Sequence, residues 1–577
     1  VQDHAAVVDD EAAAVVASAT PAVLLLDRAA PDATPRSGLP EGLPEGLSDG
    51  LPEARPVRAA TRRGRARAGD RTTPPPSEAA RFTSDVPRGR RGSATPGRTS
   101  ARRTLARRVT ALSTLLLLGV ALVPQQPAAP VPAAAPGPAR LPTYARIDLY
   151  QEGVTVDGDG RPGEVATGRS APFFAGTHVL DPAAVTLVGA LGGQPPTAGT
   201  PGASRSAAQA QAAGQQGWLA HGTVPGTGGP YEDMARAALL DLHTLDLPGG
   251  AAVAGWSPRW RYVWPRDSAF VAVALARTGH VDDALEILRF LDGVQEPDGS
   301  FQARYEPDGS GPPDDRGVQT DGTGWALWAA GLVLAEVHDP EQRRAAAEQL
   351  RPLVVRSTEH ALDLVARTGL PPASADYWET PEQELTLGTA APVVAGLQQA
   401  AVVLPLVGDT GLARAASDAA KRSQVELVRA FAPTGYARYA AGGHRDAATA
   451  FLLPPFLRVP PPGARTAWRE SAPTMLRPAS GLAPGAGWRD DGVSWTPQTS
   501  LYAWLAAESG DVPLARRWLD FLDQHRTATG SIPEKVLADG SPAAVAPLTW
   551  SAACTLLALD ALDRREDSLT SSRPPHG

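Results

Sequence analysis

Residues 321–351 read DGTGWALWAAGLVLAEVHDPEQRRAAAEQLR, and a change of texture inside that stretch decides the fold. Over 325–333 the side chains are apolar on most faces of a helix, so this helix must be surrounded by protein. Over 341–351 the charges and glutamines form a polar outer face, so this helix has one side in water. The same texture runs from residue 229 to 565, with 393–407 as a second helix apolar on most faces. Apolar residues at helical spacing, broken by loops rich in Pro, Gly and Asp, predict roughly twelve helices. They fall near 231–243, 266–278, 280–294, 322–337, 340–367, 386–407, 409–431, 445–453, 463–475, 497–509, 511–526 and 547–563. Buried helices alternating with amphipathic ones imply two concentric layers. Helix pairs joined alternately by short turns and long loops predict a mainly α, closed α/α toroid whose long loops gather at one end and build a site there.

The flanks read differently. Residues 1–100 carry the repeat GLPEGLPEGL at 38–47 and stretches rich in Arg and Pro, and they form a predicted disordered leader. Arg102, Arg103, Arg107 and Arg108 precede a mostly apolar run at 109–123 and an Ala/Pro tract that ends near 139. This is an export signal in outline, so a secreted or envelope-associated protein is expected. Fifteen residues are short against the about 20 of a membrane span, which leaves anchoring through 109–123 as the alternative. The first methionine is Met234, and the expected translation start lies downstream of Val1, near Val86. Residues 140–228 have short alternating pieces at 145–149 and 184–188, and predict a reduced, β-containing extension. Asp157, Asp159 and Gly160 lack the later glutamate of a calcium loop and read as a turn. Residues 566–577 are a polar tail.

Charge and cysteine content narrow the function. At 577 residues the chain can bury a sizeable core. Its net charge of −8 hides an asymmetry: 54–108 hold sixteen arginines against Asp70, Glu78 and Asp85, while from 109 onward 36 basic residues face 49 acidic ones. The folded part is therefore a poor nucleic-acid binder and suits a neutral or cationic ligand. Cys554 is the one cysteine, so no internal disulfide forms, and no Cys/His spacing suggests a metal or cofactor.

The long loops, 256–267, 298–321, 375–384, 484–498 and 531–550, hold most of the aromatic residues and conspicuous carboxylates. Tryptophan faces stack on sugar rings, while carboxylates and arginines bind hydroxyls. Splitting a glycosidic bond needs one carboxylic acid and one carboxylate on opposite faces of the sugar. Glu379, in Asp376-Tyr377-Trp378-Glu379, and Glu534, in Ile532-Pro533-Glu534-Lys535, are the loop glutamates placed for it.

Four motifs in order carry a resemblance: Trp264-Pro265-Arg266-Asp267; Gln319-Thr320-Asp321-Gly322-Thr323-Gly324-Trp325; Tyr377-Trp378-Glu379; and Ile532-Pro533-Glu534 followed by Leu548-Thr549-Trp550-Ser551. Together they resemble the glucoamylase-like glycoside hydrolase family 15 over about 260–565. The resemblance implies an (α/α)6 barrel and an inverting hydrolase of α-glucosidic bonds that uses no metal or cofactor. It carries the general acid onto Glu379 and the general base onto Glu534. It carries substrate binding onto Arg266, Asp267 and Trp264, with Trp378 beside the acid and Arg489, in Gly487-Trp488-Arg489-Asp490, as a second arginine. The aromatic neighbours of Glu379 suggest an apolar wall around an acid, and Lys535 suits a carboxylate that must be ionised.

The chain departs from the family at Thr380, where many members have an acidic residue, at Lys535, where Gln is frequent, and in its reduced N-terminal region. The expected partner is an oligosaccharide or polysaccharide, and the expected state a monomer. The alternatives are the same fold acting on trehalose or another α-glucoside, and a catalytically inactive carbohydrate-binding envelope protein.

Overall fold

The computed structural model describes residues 144–185 and 204–571. The leader, the signal-like segment and the end of the polar tail lie outside these residues.

Six short segments are buried almost throughout: the helices Pro265–Arg277, Asp321–Glu336, Leu387–Val403, Thr496–Glu508 and Thr549–Ser571, the last of them as far as Leu562, and the 3-10 helix Ala447–Leu452. Taken in chain order, with Ala447–Leu452 between Leu387–Val403 and Thr496–Glu508, each adjoins the next, and Thr549–Ser571 returns to Pro265–Arg277, so they close an inner ring. The ring is filled by aromatics: Phe270 lies 5.1 Å from both Trp325 and Trp328, and 5.5 Å from Trp550. Outside it stand the amphipathic helices Glu232–Leu245, Val281–Val294, Arg351–Val365, Thr410–Phe431, Ala464–Met475 and Val512–Gln524. The last five each show one buried stripe, as the 3.6-residue period requires of an outer layer, while Glu232–Leu245 is buried over most of its faces. The fold is the mainly α toroid that the alternation of textures predicts.

Inner helices touch backbone to backbone at one place. A Cβ on Gly324 would stand 2.4 Å from the carbonyl of Pro392, and one on Gly396 would stand 2.7 Å from the carbonyl oxygen of Gly324. Only glycine permits this approach between Asp321–Glu336 and Leu387–Val403. The run Leu387–Val407 is the one described stretch long and apolar enough to cross a membrane, and 72% of it is buried in the inner wall.

Several element boundaries differ from the sequence reading. The helix expected at 340–367 is two, Pro340–Gln349 and Arg351–Val365, because Pro352 starts a new helix and bars its predecessor from continuing. The segment expected as a helix at 445–453 is the 3-10 turn Ala447–Leu452, opened by the Asp446 side chain, which accepts from the Ala448 N–H at 2.8 Å. The largest difference lies in 140–228, where Arg205–His221 is a helix among expected strands and loops. Its alanines and glutamines are strong helix formers. Ser204 caps it, Ala208, Ala212 and Leu219 are buried on one face, and Trp218 stacks on His280 at 3.7 Å.

Ahead of this helix the described residues hold one β-hairpin. Gly153–Val156 pairs antiparallel with Pro162–Val165, and the Asp157 carboxylate closes the intervening turn by accepting from the N–H groups of Asp159 and Arg161 at 2.9 Å. The residue-184 end of the piece expected at 184–188 is a helical turn, and its remainder lies outside the described residues. The extension is laced to the ring. Tyr150 N–H donates to Ala544 O at 2.8 Å, Ala544 N–H to Asp148 O at 2.9 Å, and the Gln151 amide to Ala546 O at 2.7 Å.

Candidate active site

All six inner elements begin at the end where the long loops meet, so their N-termini surround one mouth and set positive helix ends against the carboxylates gathered there. Asp267 and Asp321 each occupy the first turn of an inner helix. Pro265 starts the first of these helices and places Arg266 and Asp267 on its opening turn.

Arg266 is 6% exposed and organises the mouth. Its Nε donates to Asp267 at 3.1 Å, and both terminal nitrogens donate to Glu379 Oε1 at 3.2 Å. The guanidinium lies 5.0 Å from the Trp550 ring centroid. Burial opposes its charge, but Asp267, Glu379 and Asp321 around it raise its pKa above the ordinary value. Burial pushes Asp267 up to about 6 against the pull of Arg266, with Glu379 and Glu534 both acting on it. Burial likewise raises Asp321 to about 7, against Arg266. Trp325 donates to one Asp321 oxygen at 3.1 Å, and the other has no partner.

Glu379 sits in the left-handed region, with φ of 55°, where a non-glycine residue is strained. Its N–H donates to Asp376 O at 2.8 Å. This conformation turns the carboxylate away from its two neighbours, so the apolar wall expected from Tyr377 and Trp378 is replaced by cations. Arg266 holds Oε1, and Arg316 holds Oε2 at 3.0 Å. Tyr377 instead donates to Asp446 and to Pro484 O. The Trp378 ring is covered by the Arg438 guanidinium at 3.7 Å and met edge-on by Trp488 at 4.9 Å.

Below this turn lies an ion cluster. Buried Arg438 donates to Asp376 at 2.9 Å, Glu382 at 2.7 Å and Asp446 at 3.0 Å. Desolvation opposes the charge of Arg438, yet the carboxylates raise its pKa. Asp376 also accepts from the Trp378 N–H and the Thr386 hydroxyl, so one buried carboxylate ties the turn to the next inner helix.

Glu534 is nearly buried and lies at a bend just before the two-residue strand Lys535–Val536. Its N–H donates to Val545 O at 2.8 Å, and its carbonyl accepts from Thr496 N–H at 3.0 Å. Oε2 is 3.4 Å from the Lys535 ammonium, an ion pair without hydrogen-bond geometry. The Lys535 ammonium lies 4.3 Å over the Trp495 ring.

Of the residues singled out from sequence, Arg266, Asp267 and Glu379 are in direct contact, and Glu534 acts electrostatically on Asp267. Trp264 lies beneath Arg304, 5.0 Å from its guanidinium. Exposed Arg489 is 6.0 Å from the Trp488 ring and touches neither glutamate. Sequence reasoning missed Arg316, Asp321, Asp376 and Arg438 as functional candidates, although Asp321 and Asp376 stand inside the quoted motifs.

A ring of paired helices with acid and arginine groups converging at one mouth defines an α/α-toroid protein built around a polar pocket. Residues 246–477 match the family model described as glycosyl hydrolases family 15. Arg266 and Glu379 fall inside the matched segment, and Glu534 beyond it.

An uncharacterized glycosyl hydrolase of Methanocaldococcus jannaschii is 33% identical over 100 residues, which are 17% of this chain and 16% of that relative. The chain thus matches about a sixth of its length. Among solved structures, a bacterial glucoamylase complexed with acarbose is 18% identical, with 63% of this chain and 62% of that one covered and a TM-score of 0.50. A glucoamylase from Saccharomycopsis fibuligera is 15% identical over 55% of this chain and 90% of that one, with a TM-score of 0.47.

Proposed function

We propose that the chain is an exported, inverting glycoside hydrolase that cleaves α-glucosidic bonds and releases β-glucose from non-reducing ends. The observation that carries this reading is the clamp of Arg266 between Asp267 and Glu379 at a buried mouth, with Glu534 acting on the same Asp267. Arg266 is charged at any working pH, and together with Asp267 it offers donors and an acceptor to the hydroxyls of the terminal sugar.

In the proposed reaction Glu379 gives a proton to the glycosidic oxygen, and the bond from that oxygen to the anomeric carbon breaks. Water adds to that carbon from the opposite face as Glu534 takes a water proton. The leaving sugar gains the proton of Glu379, and the new anomeric hydroxyl points the other way. Glu534 Oε2 has no hydrogen-bond donor among the described residues and lies 3.4 Å from the Lys535 ammonium, an ion pair that suits a carboxylate acting as base. Glu379 must exchange its two arginine partners for the glycosidic oxygen before it can act.

The test is a panel of maltose, maltooligosaccharides, isomaltose, dextran and trehalose with detection of the product anomer. β-Glucose from at least one of them is expected. α-Glucose as the initial anomer released from the non-reducing end of a maltooligosaccharide would overturn inversion, and no turnover of any glucan or glucoside would leave a carbohydrate-binding protein as the reading. Export is checked by sequencing the N-terminus of secreted protein, where loss of 101–139 is expected.

A further inference from the structure

Arg316 closes the outer side of Glu379. It is 36% exposed, whereas Arg266 on the other carboxylate oxygen is 6% exposed, so the two guanidiniums mark the outer and the deep end of one pocket. Resting on the hydrolase reading above, the deep end takes the terminal sugar and the outer end takes the leaving group.

The outer end has a charge imbalance that appears only during turnover. Arg316 Nε donates to Asp314 at 3.2 Å, and Arg304 donates to the same Asp314 oxygen at 2.5 Å. Two guanidiniums therefore share one carboxylate, and Glu379 supplies the second negative charge. Asp315 is exposed and forms an ion pair with neither, among the described residues. When Glu379 carries the proton it must deliver, this second charge is gone. Arg304 is 8% exposed, and its Nε is a buried donor with no partner. A guanidinium stays charged at any working pH, so the deficit cannot be relieved by the protein losing a proton.

We propose that Arg316 is the leaving-group specificity residue of this enzyme and that the leaving group it fits carries an anion, a carboxylate or a phosphate. Such a group takes Arg316 from Glu379 as the glycosidic oxygen approaches, and frees the acid in the same movement. The preference is local, because the folded part as a whole is acidic and does not attract anions from a distance.

The experiment compares kcat/KM for maltose, for maltobionate, which has a carboxylate on the leaving residue, and for maltose 1-phosphate, which has a phosphate there. Wild type should favour one of the two anionic compounds over maltose by about tenfold or more, as a charge-assisted hydrogen bond predicts, and the gain should lie in KM. The favoured compound identifies the anion. In Arg316→Gln that preference should collapse, with KM for the anionic substrate rising more than KM for maltose.

Turnover of maltose with no preference for either anion, or a preference that persists in Arg316→Gln, overturns this inference and leaves the hydrolase reading standing. Absence of turnover on all three, together with none on the other glucans and glucosides of the panel, overturns the hydrolase reading. Calorimetric titration of wild type and Arg316→Gln with the same compounds then decides the residue: tighter binding of an anionic disaccharide that depends on Arg316 supports its role, and equal binding overturns it.

Discussion

The 376–384 loop presents Glu379 on a strained left-handed residue braced from below by Arg438 and its three carboxylates. The 531–548 loop presents Glu534 at a bend without positive φ, braced by backbone hydrogen bonds to Val545 and Thr496 and, through Ala544 and Ala546, by the N-terminal extension. One carboxylate is held by ions inside the ring, with both oxygens occupied by arginines. The other is held by main chain, with one oxygen free of hydrogen-bond donors. The difference fits the division of labour proposed for them. An acid that must approach and then leave the glycosidic oxygen has partners it can exchange, whereas a base keeps a carboxylate whose side-chain partner is the Lys535 ammonium.

The comparison breaks most visibly if either glutamate is dispensable. Glu379→Gln and Glu534→Gln should each lower kcat by about 10³-fold, within the 10²–10⁴ range of positioned acids and bases, measured by glucose release. Equal binding of substrate to both variants would keep the loss in chemistry.

The ionic brace is tested next. Arg438→Met leaves Asp376 and Asp446 as buried carboxylates without their cation, and should cost about 3–5 kcal/mol of stability in urea unfolding, since removing one partner of a buried pair strands the other. Gln151→Ala, on the side of Glu534, removes one buried hydrogen bond and should cost only about 1 kcal/mol.

Asp267 lies between the two regions, and pH separates its contribution. Burial holds it at about 6 in the fold against 3.8 for the free side chain. The stability it adds is therefore whole below 3.8 and is lost as pH rises through about 6. Asp267→Asn lacks this dependence. Its stability relative to wild type should move in favour of the variant by roughly 2.5 kcal/mol between pH 4 and pH 7.5, read by urea unfolding at both. Movement the other way would mean that Arg266 outweighs burial.

The smallest effect is a reversal of sign. At position 379 a glycine variant should be more stable than an alanine variant by about 1 kcal/mol, because φ is positive there. At 534 alanine should be the more stable by roughly 0.5–1 kcal/mol, because glycine adds chain entropy without relieving strain. The same sign at both sites would erase the conformational contrast.

The ring was legible because an inner helix must be apolar all round and an outer one on a single stripe, and 325–333 beside 341–351 shows both. Arg266, Asp267 and Glu379 were legible as motifs, since each begins or precedes an inner helix. Arg316 was not: it lies in an exposed loop of Pro, Asp and Gly with no periodicity. Arg438 acts on residues up to 62 positions away in the chain, a distance that no local pattern spans. The positive φ of Glu379 leaves no trace in sequence, because the usual sign of such a position is glycine. The helix Arg205–His221 was hidden by alanine, whose small buried face reads as low-complexity loop.

The contact of Gly324 with Pro392 and Gly396 leaves no side chain between two staves of the ring, so no substitution there can widen or narrow it gradually. The spacing of these two staves is therefore fixed in this protein. Evolution or engineering can retune what enters only by exchanging the fittings around the rim, and the rim loops with Arg316, Thr380 and Arg489 are where variation can be absorbed without rebuilding the vessel.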